Sequence, residues 1–413
     1  MNEVTNSPSF KKLKPAEITT LFLDAAYTTG LPIACWKLPH SNHFNVAVSF
    51  NSNVQIVKPE IESLPAGFIV APFSLRKQLS FIRADLFYQS SEIFPKESFK
   101  VGVYGSEESM NSKRFWKAFE LATTKLEQGY IPQYHAIETR ETNTDKKTFL
   151  RLVEKGIKSI KSGAYQKIVY SRSKTANKPN NFHATKVFIS LCQDFPSAFV
   201  SLVSLPEEGT WLGASPETLV EIDSQKIFKT VALAGTQKKA KFKHLSDATW
   251  RQKEIEEQAL VSRYIINCFK KIRLREFEEL GPKTVAAGSL IHLKTDFVVN
   301  INEVNFPQLG SVMLELLHPT SAVCGMPQAV TMQDILTKEG YDRRLYSGYL
   351  GPVNVDNNTH IFVNLRCMQV GKKQLVFYAG AGITEDSVPK KEFLETEMKM
   401  DVLRKRILAK ITK

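Results

Sequence analysis

Short apolar runs separated by turn residues fill most of the first 130 residues. Runs of roughly four to eight residues with alternating or contiguous apolar positions are typical of β-strands. A helix is predicted near residues 15–29, and this part of the chain shows no catalytic constellation. The predicted strands are HFNVAVSF (43–50), VQIV (54–57), GFIVAPF (67–73) and FIRADLFY (81–88).

A polar stretch at residues 138–147 (ETRETNTDKK) contains no apolar side chain. Such a stretch indicates a connection, so we divide the chain into an N-terminal, mostly sheet part at 1–145 and a core at 146–413. In the core the pattern predicts strands separated by helices, without a repeat of fixed period. The predicted core helices are one from Lys147 that Gly163 closes, one from about Ser246 to Lys271, and a basic one from Lys390.

The composition is that of a globular protein. Of 413 residues, 43% are apolar and 23% are charged, which is close to the average for folded domains. No run approaches the roughly 18–20 apolar residues of a membrane helix, and the first residues lack the apolar core of a signal peptide. We therefore expect a soluble, cytoplasmic protein with no membrane partner.

Charge and cysteine content narrow the chemistry only a little. The five cysteines are scattered without a CxxC pair, so reduced, buried thiols are expected rather than a zinc or redox site. The net charge of +13 permits nucleic acid, an acidic membrane or a small anionic substrate as partner. The lysines are spread along the chain without a recognised nucleic-acid module, which argues against nucleic acid.

The helix predicted after residue 250 carries two glutamates on its apolar stripe. On a helical wheel, Glu254 and Glu257 lie with Val261 and Ile265, whereas Glu256 lies on the opposite face. Two carboxylates about 6 Å apart at i, i+3 repel each other unless a cation lies near them. That cation is either a lysine or arginine of the protein or a metal ion.

The C-terminal helix repeats this arrangement. Glu392 and Glu395 are spaced i, i+3 beside Lys399, and they border an apolar edge. Two converging pairs of oxygen ligands, without histidine or cysteine, suit a hard cation such as Mg²⁺. Ordinary helix salt bridges are the alternative.

Three further polar residues have apolar neighbours in sequence. Lys167 opens the strand KIVYSR, where it is either a solvated edge residue or a buried base. Arg366 lies inside HIFVNLRCMQV, so a carboxylate of the protein or of a substrate is expected to meet it. Glu217 follows Pro216 between apolar strand residues and is either a turn residue or a general acid.

Two glycine-bearing runs complete the candidates. In YAGAGIT, Gly380 and Gly382 lack the third glycine of a dinucleotide fingerprint, which leaves a close backbone approach to an anion or a bulge. In LHPTSAVCGMPQ (317–328), His318 is either a satisfied buried histidine or a ligand contact.

Eight segments in this order resemble the chorismate-utilising enzymes, a family that includes anthranilate synthase component I, aminodeoxychorismate synthase, salicylate synthase and isochorismate synthase. The resemblance is dense over about residues 150–413. It implies an α+β fold of large antiparallel β-sheets with helices packed on the outside, as in anthranilate synthase component I. The segments are GASPETL (213–219), ALAGT (232–236), KEIEEQALV (253–261), LHPTSAVCGMP (317–327), RRLYSG (343–348), NLRC (364–367), AGAGI (379–383) and EFLETEMK (392–399).

The resemblance also implies roles for the matching residues, with chorismate as substrate and Mg²⁺ as cofactor. Glu257 and Glu395 match direct metal ligands, and Glu254 and Glu392 match acids that assist through water. The residues matched to a substrate carboxylate are Tyr346, Arg366, Gly380, Gly382 and Lys399, and those matched to the ring pocket are Gly235, Thr236 and His318.

A few positions distinguish the members of the family. Lysine at position 167 resembles the members that add water to chorismate, and Ala234 replaces the lysine that attacks the ring in aminodeoxychorismate synthases. Ala322 stands where salicylate synthases, which also eliminate pyruvate, have threonine. We therefore expect an isochorismate synthase, with a salicylate synthase as the alternative. Gln258 and Arg344 depart from the histidine and glycine that are usual in the family.

The implied mechanism uses two groups in their less usual protonation states. A neutral Lys167 deprotonates a water directed at C2 of chorismate, while a protonated Glu217 gives its proton to the departing C4 hydroxyl. An inactive homologue is disfavoured because every matched acid, base and metal position is filled. We expect a monomer or weak homodimer. The resemblance leaves open whether the product feeds menaquinone or siderophore biosynthesis.

Overall fold

The computed structural model describes residues 2–3, 13–51, 57–74, 79–90, 99–103, 110–126, 130–139, 143–287 and 290–411. The strand predicted at 54–57 therefore lies outside the described residues except for Val57. Residues 140–142 of the predicted connection also lie outside them.

The secondary structure alternates helices with long runs of strands. The helices are α1 (Pro15–Thr29), α2 (Met110–Leu126), α3 (Lys146–Lys161), α4 (Ala184–Asp194), α5 (Gln252–Lys271), α6 (Ile301–Val304), α7 (Leu309–Leu317), α8 (Gln328–Lys338) and α9 (Pro389–Ile411). The strands are β1 (Asn2–Glu3), β2 (Ile33–Lys37), β3 (Asn45–Val48), β4 (Gly67–Ala71), β5 (Ser80–Arg83), β6 (Leu86–Ser90), β7 (Phe99–Val103), β8 (Lys167–Asn177), β9 (Phe199–Leu205), β10 (Gly209–Ser215), β11 (Thr218–Ile222), β12 (Ile227–Lys238), β13 (Glu278–Ala287), β14 (Leu290–Asn300), β15 (Gly325–Met326), β16 (Tyr349–Val353), β17 (Thr359–Val363), β18 (Cys367–Val370) and β19 (Gln374–Ile383).

Local signals in the sequence explain where several helices begin and end. Helix α1 starts at Pro15, whose fixed φ suits the first helical position, and it ends at Gly30 with φ of +70°. The helix predicted near residues 15–29 is thus confirmed. Helix α5 ends at the predicted residue but starts at Gln252 rather than Ser246, because the Glu254 carboxylate accepts the backbone N–H of Arg251 and caps the helix there.

The strands form two large antiparallel sheets. One has eleven strands in the order β1-β7-β6-β3-β2-β9-β10-β18-β19-β8-β15, and the other has eight in the order β13-β14-β12-β11-β17-β16-β4-β5. Every pair of neighbours is antiparallel. Strands from either side of residue 145 pair in both sheets, β2 with β9 and β4 with β16, so the N-terminal part and the core share one fold.

The two sheets pack face to face, and helices cover their outer faces. Between the sheets, Phe199 of β9 stacks on Phe362 of β17 with ring centroids 4.1 Å apart. Helices α1, α2, α4 and α9 bury their apolar residues against the eleven-stranded sheet, and α5 and α7 bury theirs against the eight-stranded sheet. The predicted α+β architecture, with helices outside antiparallel sheets, is confirmed.

Two of the places where the chain crosses from one sheet to the other lie next to each other. Between β10 and β11 the crossing contains Glu217, and between β17 and β18 it contains Arg366. Backbone hydrogen bonds join the crossings, since Val363 N donates to Glu217 O at 3.0 Å and Ala214 N donates to Arg366 O at 3.0 Å. An acid and a base far apart in sequence therefore lie together where the sheets meet.

The helices also bear on the membrane prediction. Among the residues that the structure describes, no helix is long and apolar enough to cross a membrane.

Candidate active site

Most of the predicted site residues line one cavity of about 170 Å³. Both sheets contribute to it, together with the N-terminal halves of α5 and α9. A larger cavity of about 670 Å³ shares Glu257, Gly382 and Glu395 with it and is also lined by Lys167. The predicted residues on the smaller cavity are Glu217, Gly235, Thr236, Glu254, Glu257, Ala322, Arg366, Gly380, Gly382, Glu395 and Lys399.

Lys167 is buried at the start of β8, with only 2% of its surface exposed. Its Nζ lies 3.3 Å from Glu257 Oε1. On the neighbouring strand β19, a Cβ added to Gly382 would lie 3.1 Å from Lys167 Cε, so glycine leaves room for the lysine. Of the two alternatives drawn from the sequence, a solvated edge lysine is excluded.

Glu217 is a buried carboxyl, 8% exposed, at the crossing between β10 and β11. Burial raises the pKa of Glu217 to about 7, although the Thr320 hydroxyl and the charges of Lys167, Arg366 and Lys399 act in the opposite direction. Thr320 Oγ1 donates a hydrogen bond to Glu217 Oε1 at 3.3 Å. A substantial fraction of Glu217 is therefore protonated near neutral pH, which is the state a general acid needs.

Two cationic side chains line the same cavity as Glu217. Arg366 adopts a left-handed backbone conformation with φ of +47°, an uncommon state for a residue with a side chain. Lys399 donates to Gly380 O at 2.9 Å and pairs with Glu395 Oε1 at 2.6 Å. This pair of cations beside a cavity suits an anionic ligand.

The glutamates of α5 and α9 differ in their contacts. Glu254 caps α5, Glu257 pairs with Lys167, and Glu395 pairs with Lys399. Glu392 is 3% exposed and does not line either cavity. Glu254 lies in the first turn of its helix, where the macrodipole favours negative charge, and Glu257 and Glu395 lie in the second turn.

We tested the carboxylates for a fit to Mg²⁺. Among the described residues, no group of three or more His, Cys, Asp or Glu side chains converges to hold a metal ion. Mg²⁺ is bound through one or two carboxylates, with water and substrate oxygens completing its coordination. Glu257 and Glu395, which line one cavity and offer only oxygen ligands, meet that requirement. Mg²⁺ binding stays a prediction.

The opposite wall of the cavity is formed by β12 and β14. Gly235 has φ of +66° at an irregular register of β12, and a Cβ there would lie 3.1 Å from the Trp250 ring, so glycine is required. His292 Nδ1 lies 2.8 Å from Gly235 O and 3.2 Å from Thr236 Oγ1. Burial lowers the pKa of His292 to about 4, so the ring is neutral.

Sequence reasoning missed His292. In LIHLKTDF its neighbours at i+2 and i+4 are Lys294 and Asp296, so local alternation assigns it to a polar face. The available signal was the pairing of β14 with the glycine-containing bend of β12, and this long-range register cannot be read from one strand.

Two predicted substrate-binding residues lie away from the cavity surfaces. His318 is buried, its Nε2 lies 3.1 Å from Phe73 O, and its ring meets Tyr349 edge to face. It therefore matches the satisfied buried histidine of the two alternatives. Tyr346 stacks on Tyr378, and its hydroxyl lies 3.1 Å from the place that a Cβ on Gly380 would occupy.

The two departures from the family pattern have structural explanations. Gln258 donates to Ala232 O at 3.2 Å and to Thr295 Oγ1 at 2.9 Å, which attaches α5 to β12 and β14. Arg344 has φ of +52°, a conformation that glycine adopts more easily, and it pairs with Glu208 at 2.8 Å. Both changes therefore concern packing and backbone conformation next to the site.

Comparisons with known proteins agree with this geometry. The model of the family described as "Chorismate binding enzyme" matches residues 102–408. Isochorismate synthase EntC of Escherichia coli K12 is 26% identical over 64% of this chain and 68% of its own length. Isochorismate synthase DhbC of Bacillus subtilis is 29% identical over 60% of this chain and 64% of its own.

A solved structure is similar over nearly the whole chain. The menaquinone-specific isochorismate synthase MenF from Escherichia coli superposes with a TM-score of 0.71 at 21% identity, covering 96% of this chain and 92% of that one. At this identity the likeness establishes the fold. Together with the family match over most of the sequence, it shows that this chain belongs to the chorismate binding enzyme family.

Proposed function

We propose that this chain is a Mg²⁺-dependent isochorismate synthase, which converts chorismate to isochorismate by adding water at C2 and losing the C4 hydroxyl. The observation that carries the proposal is the cavity in which Glu217, with a pKa of about 7, lies beside the cations Arg366 and Lys399. It combines a proton donor with a receptor for carboxylates.

Arg366 and Lys399 hold the anionic substrate in this proposal. Chorismate carries two carboxylates, and both of these basic side chains line the cavity. Gly380 and Gly382 lie on the same wall, where the lack of a side chain allows the ligand to approach the β19 backbone. The substrate ring then lies between β19 on one side and β12 on the other.

Lys167 and Glu217 move the two protons. Neutral Lys167 takes a proton from water as the new bond from oxygen to C2 forms, and the double bonds shift as the bond from C4 to its hydroxyl breaks. Glu217 gives its proton to that departing hydroxyl. One water enters and one leaves, so the reaction is an isomerisation. Before it acts as a base, the Lys167 side chain must release its pairing with Glu257 and give up its proton to solvent.

Glu257 and Glu395 would hold Mg²⁺. The ion supplies charge neutralisation and orientation of the substrate carboxylate. With both glutamates engaged by the metal, Lys167 and Lys399 would lose their present carboxylate partners.

Ala322 supports release of isochorismate rather than its further conversion to salicylate. It lines the cavity with a methyl group, where a threonine would offer a hydroxyl to the ring. A methyl group makes no hydrogen bond that holds the intermediate for pyruvate elimination.

Product analysis tests this function. Purified protein is incubated with chorismate, with Mg²⁺ or with a chelator, and the products are resolved by liquid chromatography and mass spectrometry. We expect isochorismate only with Mg²⁺, and a loss of about 10²- to 10⁴-fold in the Lys167→Gln variant, because an amide cannot accept the proton. Stoichiometric salicylate and pyruvate, or anthranilate when ammonia is supplied, would overturn the assignment.

A further inference from the structure

We propose a second ligand site, for a small aromatic carboxylate, at the end of β8 and β19 remote from the active site. The site is a cavity of about 540 Å³ formed by the loop before α3, the segment after β8 and the turn between β18 and β19. The residues that carry the argument are Tyr27, Tyr134, Lys178, Phe182, Lys372 and Lys373.

The walls of this cavity carry aromatic and proline rings among polar side chains. Tyr134 is buried, 8% exposed, and its ring meets Phe182 edge to face with centroids 6.2 Å apart. Tyr27 and the rings of Pro132 and Pro179 line the same space. Aromatic and proline surfaces of this kind pack against a planar ring.

The charge in the cavity has one sign. Lys178 is half-buried, and its Nζ donates to the Tyr134 hydroxyl at 3.0 Å and lies 5.2 Å from the centre of that ring. Within the described part of the chain, neither Lys178 nor Lys373 forms an ion pair, and no carboxylate lines the cavity. Lys372 pairs with Glu138 at 3.7 Å, and both side chains are more than half exposed.

The half-buried ammonium group of Lys178, which has no carboxylate partner within the described residues, is the group that would receive an anion. The pKa of Lys178 is lowered because burial disfavours its charged form. A carboxylate placed in the cavity would restore a charged partner in a setting where such a hydrogen bond is stronger than in water. Cations next to aromatic and proline rings favour an aromatic carboxylate over a small inorganic anion or a cation.

This cavity is distinct from the active site but joined to it by two strands. Lys167 opens β8 and Lys178 follows its end, so the two lysines are separated by about 36 Å at the rise of a strand. Lys178 N donates to Lys373 O at 2.9 Å, which connects the segment after β8 to the turn before β19. The other ends of the same strands carry Lys167, Gly380 and Gly382.

Titration with 4-fluorobenzoate, followed by ¹⁹F NMR at low ionic strength, tests the site. We expect saturable binding that is weakened about tenfold or more by Lys178→Met, because a charge-assisted hydrogen bond is lost. Lys373→Ser, an exposed change that leaves the fold intact, should weaken it by a smaller factor. Lys161→Met, on an exposed position of α3, is the control for net charge and should leave binding unchanged.

The Arg366→Met variant distinguishes binding in the active site from binding in the second cavity. The proposal expects the Lys178-dependent binding to survive in that variant. Acetate and benzyl alcohol, which carry only the charge or only the ring, should each bind about tenfold more weakly than the fluorobenzoate. The proposal is overturned by equal affinities of wild type and Lys178→Met, by loss of binding in Arg366→Met, by equal binding of acetate, or by the absence of saturation.

Discussion

Among the buried glutamates of the described residues, Glu339 and Glu217 differ in the charge of their surroundings. Glu339 accepts hydrogen bonds from Ser171 N at 2.6 Å, Ser171 Oγ at 3.0 Å and Arg343 Nε at 2.8 Å. Arg343 also donates to the carbonyls of Val323 and Val169, each at 2.7 Å. Glu217 instead accepts from the neutral hydroxyl of Thr320 and faces a cavity.

The difference separates a structural carboxylate from a reactive one. The guanidinium of Arg343 neutralises Glu339 and, through its backbone contacts, holds α8 and β8 together. The cations around Glu217 act on it less strongly than burial does, so its pKa rises to about 7. Similar burial thus leaves one carboxylate in an ion pair and the other with a raised pKa, according to whether a full charge makes direct contact.

The largest expected effect is on catalysis at Glu217. Glu217→Gln keeps the shape and removes the proton donor, so turnover of chorismate should fall by about 10²- to 10⁴-fold. The free energy of unfolding should hold or rise, because no carboxylate is left to be charged in a buried place. Steady-state kinetics measure the turnover, and urea unfolding measures the free energy of unfolding. Wild-type turnover in this variant would remove Glu217 from the mechanism.

The converse change should affect the fold. Glu339→Gln leaves the Arg343 guanidinium buried without its partner, and we expect a loss of about 3–5 kcal/mol in the free energy of unfolding. Urea denaturation measures it. Glu208→Gln, which breaks the more exposed pair with Arg344, is the matched control and should cost less than about 1 kcal/mol. Similar losses in both variants would show that Glu339 is not an anchor.

A third test extends the comparison to neighbouring glutamates of α5. Glu257 lines the smaller cavity, whereas Glu256 is exposed and accepts a hydrogen bond from Gln252 at 2.9 Å. Glu257→Ala and Glu395→Ala should weaken Mg²⁺ binding, measured by calorimetry, by about ten- to a hundredfold relative to Glu256→Ala. Three equal effects would contradict the assignment of the metal ligands.

A fourth test is the pH dependence of stability. Because the folded pKa of Glu217 is raised from 4.5 to about 7, the folded state holds a proton that the unfolded state has lost between those values. Wild-type stability should therefore fall relative to Glu217→Gln as the pH rises from about 4.5 to 7, and stay level above it. Urea midpoints of both proteins across this range show the trend, and parallel curves would place the Glu217 pKa near its ordinary value.

Much of the fold could be predicted from local patterns. The helix at residues 15–29 and the stop at Gly163, which has φ of +80°, follow from the apolar period and the glycine. The start of the long helix was predicted six residues early, because the period does not show that Glu254 caps the chain at Arg251. Helix α3 begins at Lys146, at the boundary of the predicted core.

The site was only partly visible in the sequence. The wheel indicated that Glu254 and Glu257 share a face, and both line the cavity. The burial of Lys167 depends on its pairing with β15 and β19, and the meeting of Glu217 with Arg366 depends on two crossings about 150 residues apart in sequence. Contacts of this kind arise from tertiary topology, which local periodicity does not encode.

The proposed reaction requires that water replaces the C4 hydroxyl of chorismate, with Lys167 as the base and Glu217 as the acid. Incubation of the wild-type enzyme with chorismate and Mg²⁺ in ¹⁸O-labelled water, followed by mass spectrometry and NMR of the product, tests it directly. We expect isochorismate that carries ¹⁸O in its C2 hydroxyl group. Isochorismate without the label, or unchanged chorismate under conditions where the protein is folded and Mg²⁺ is present, would contradict it.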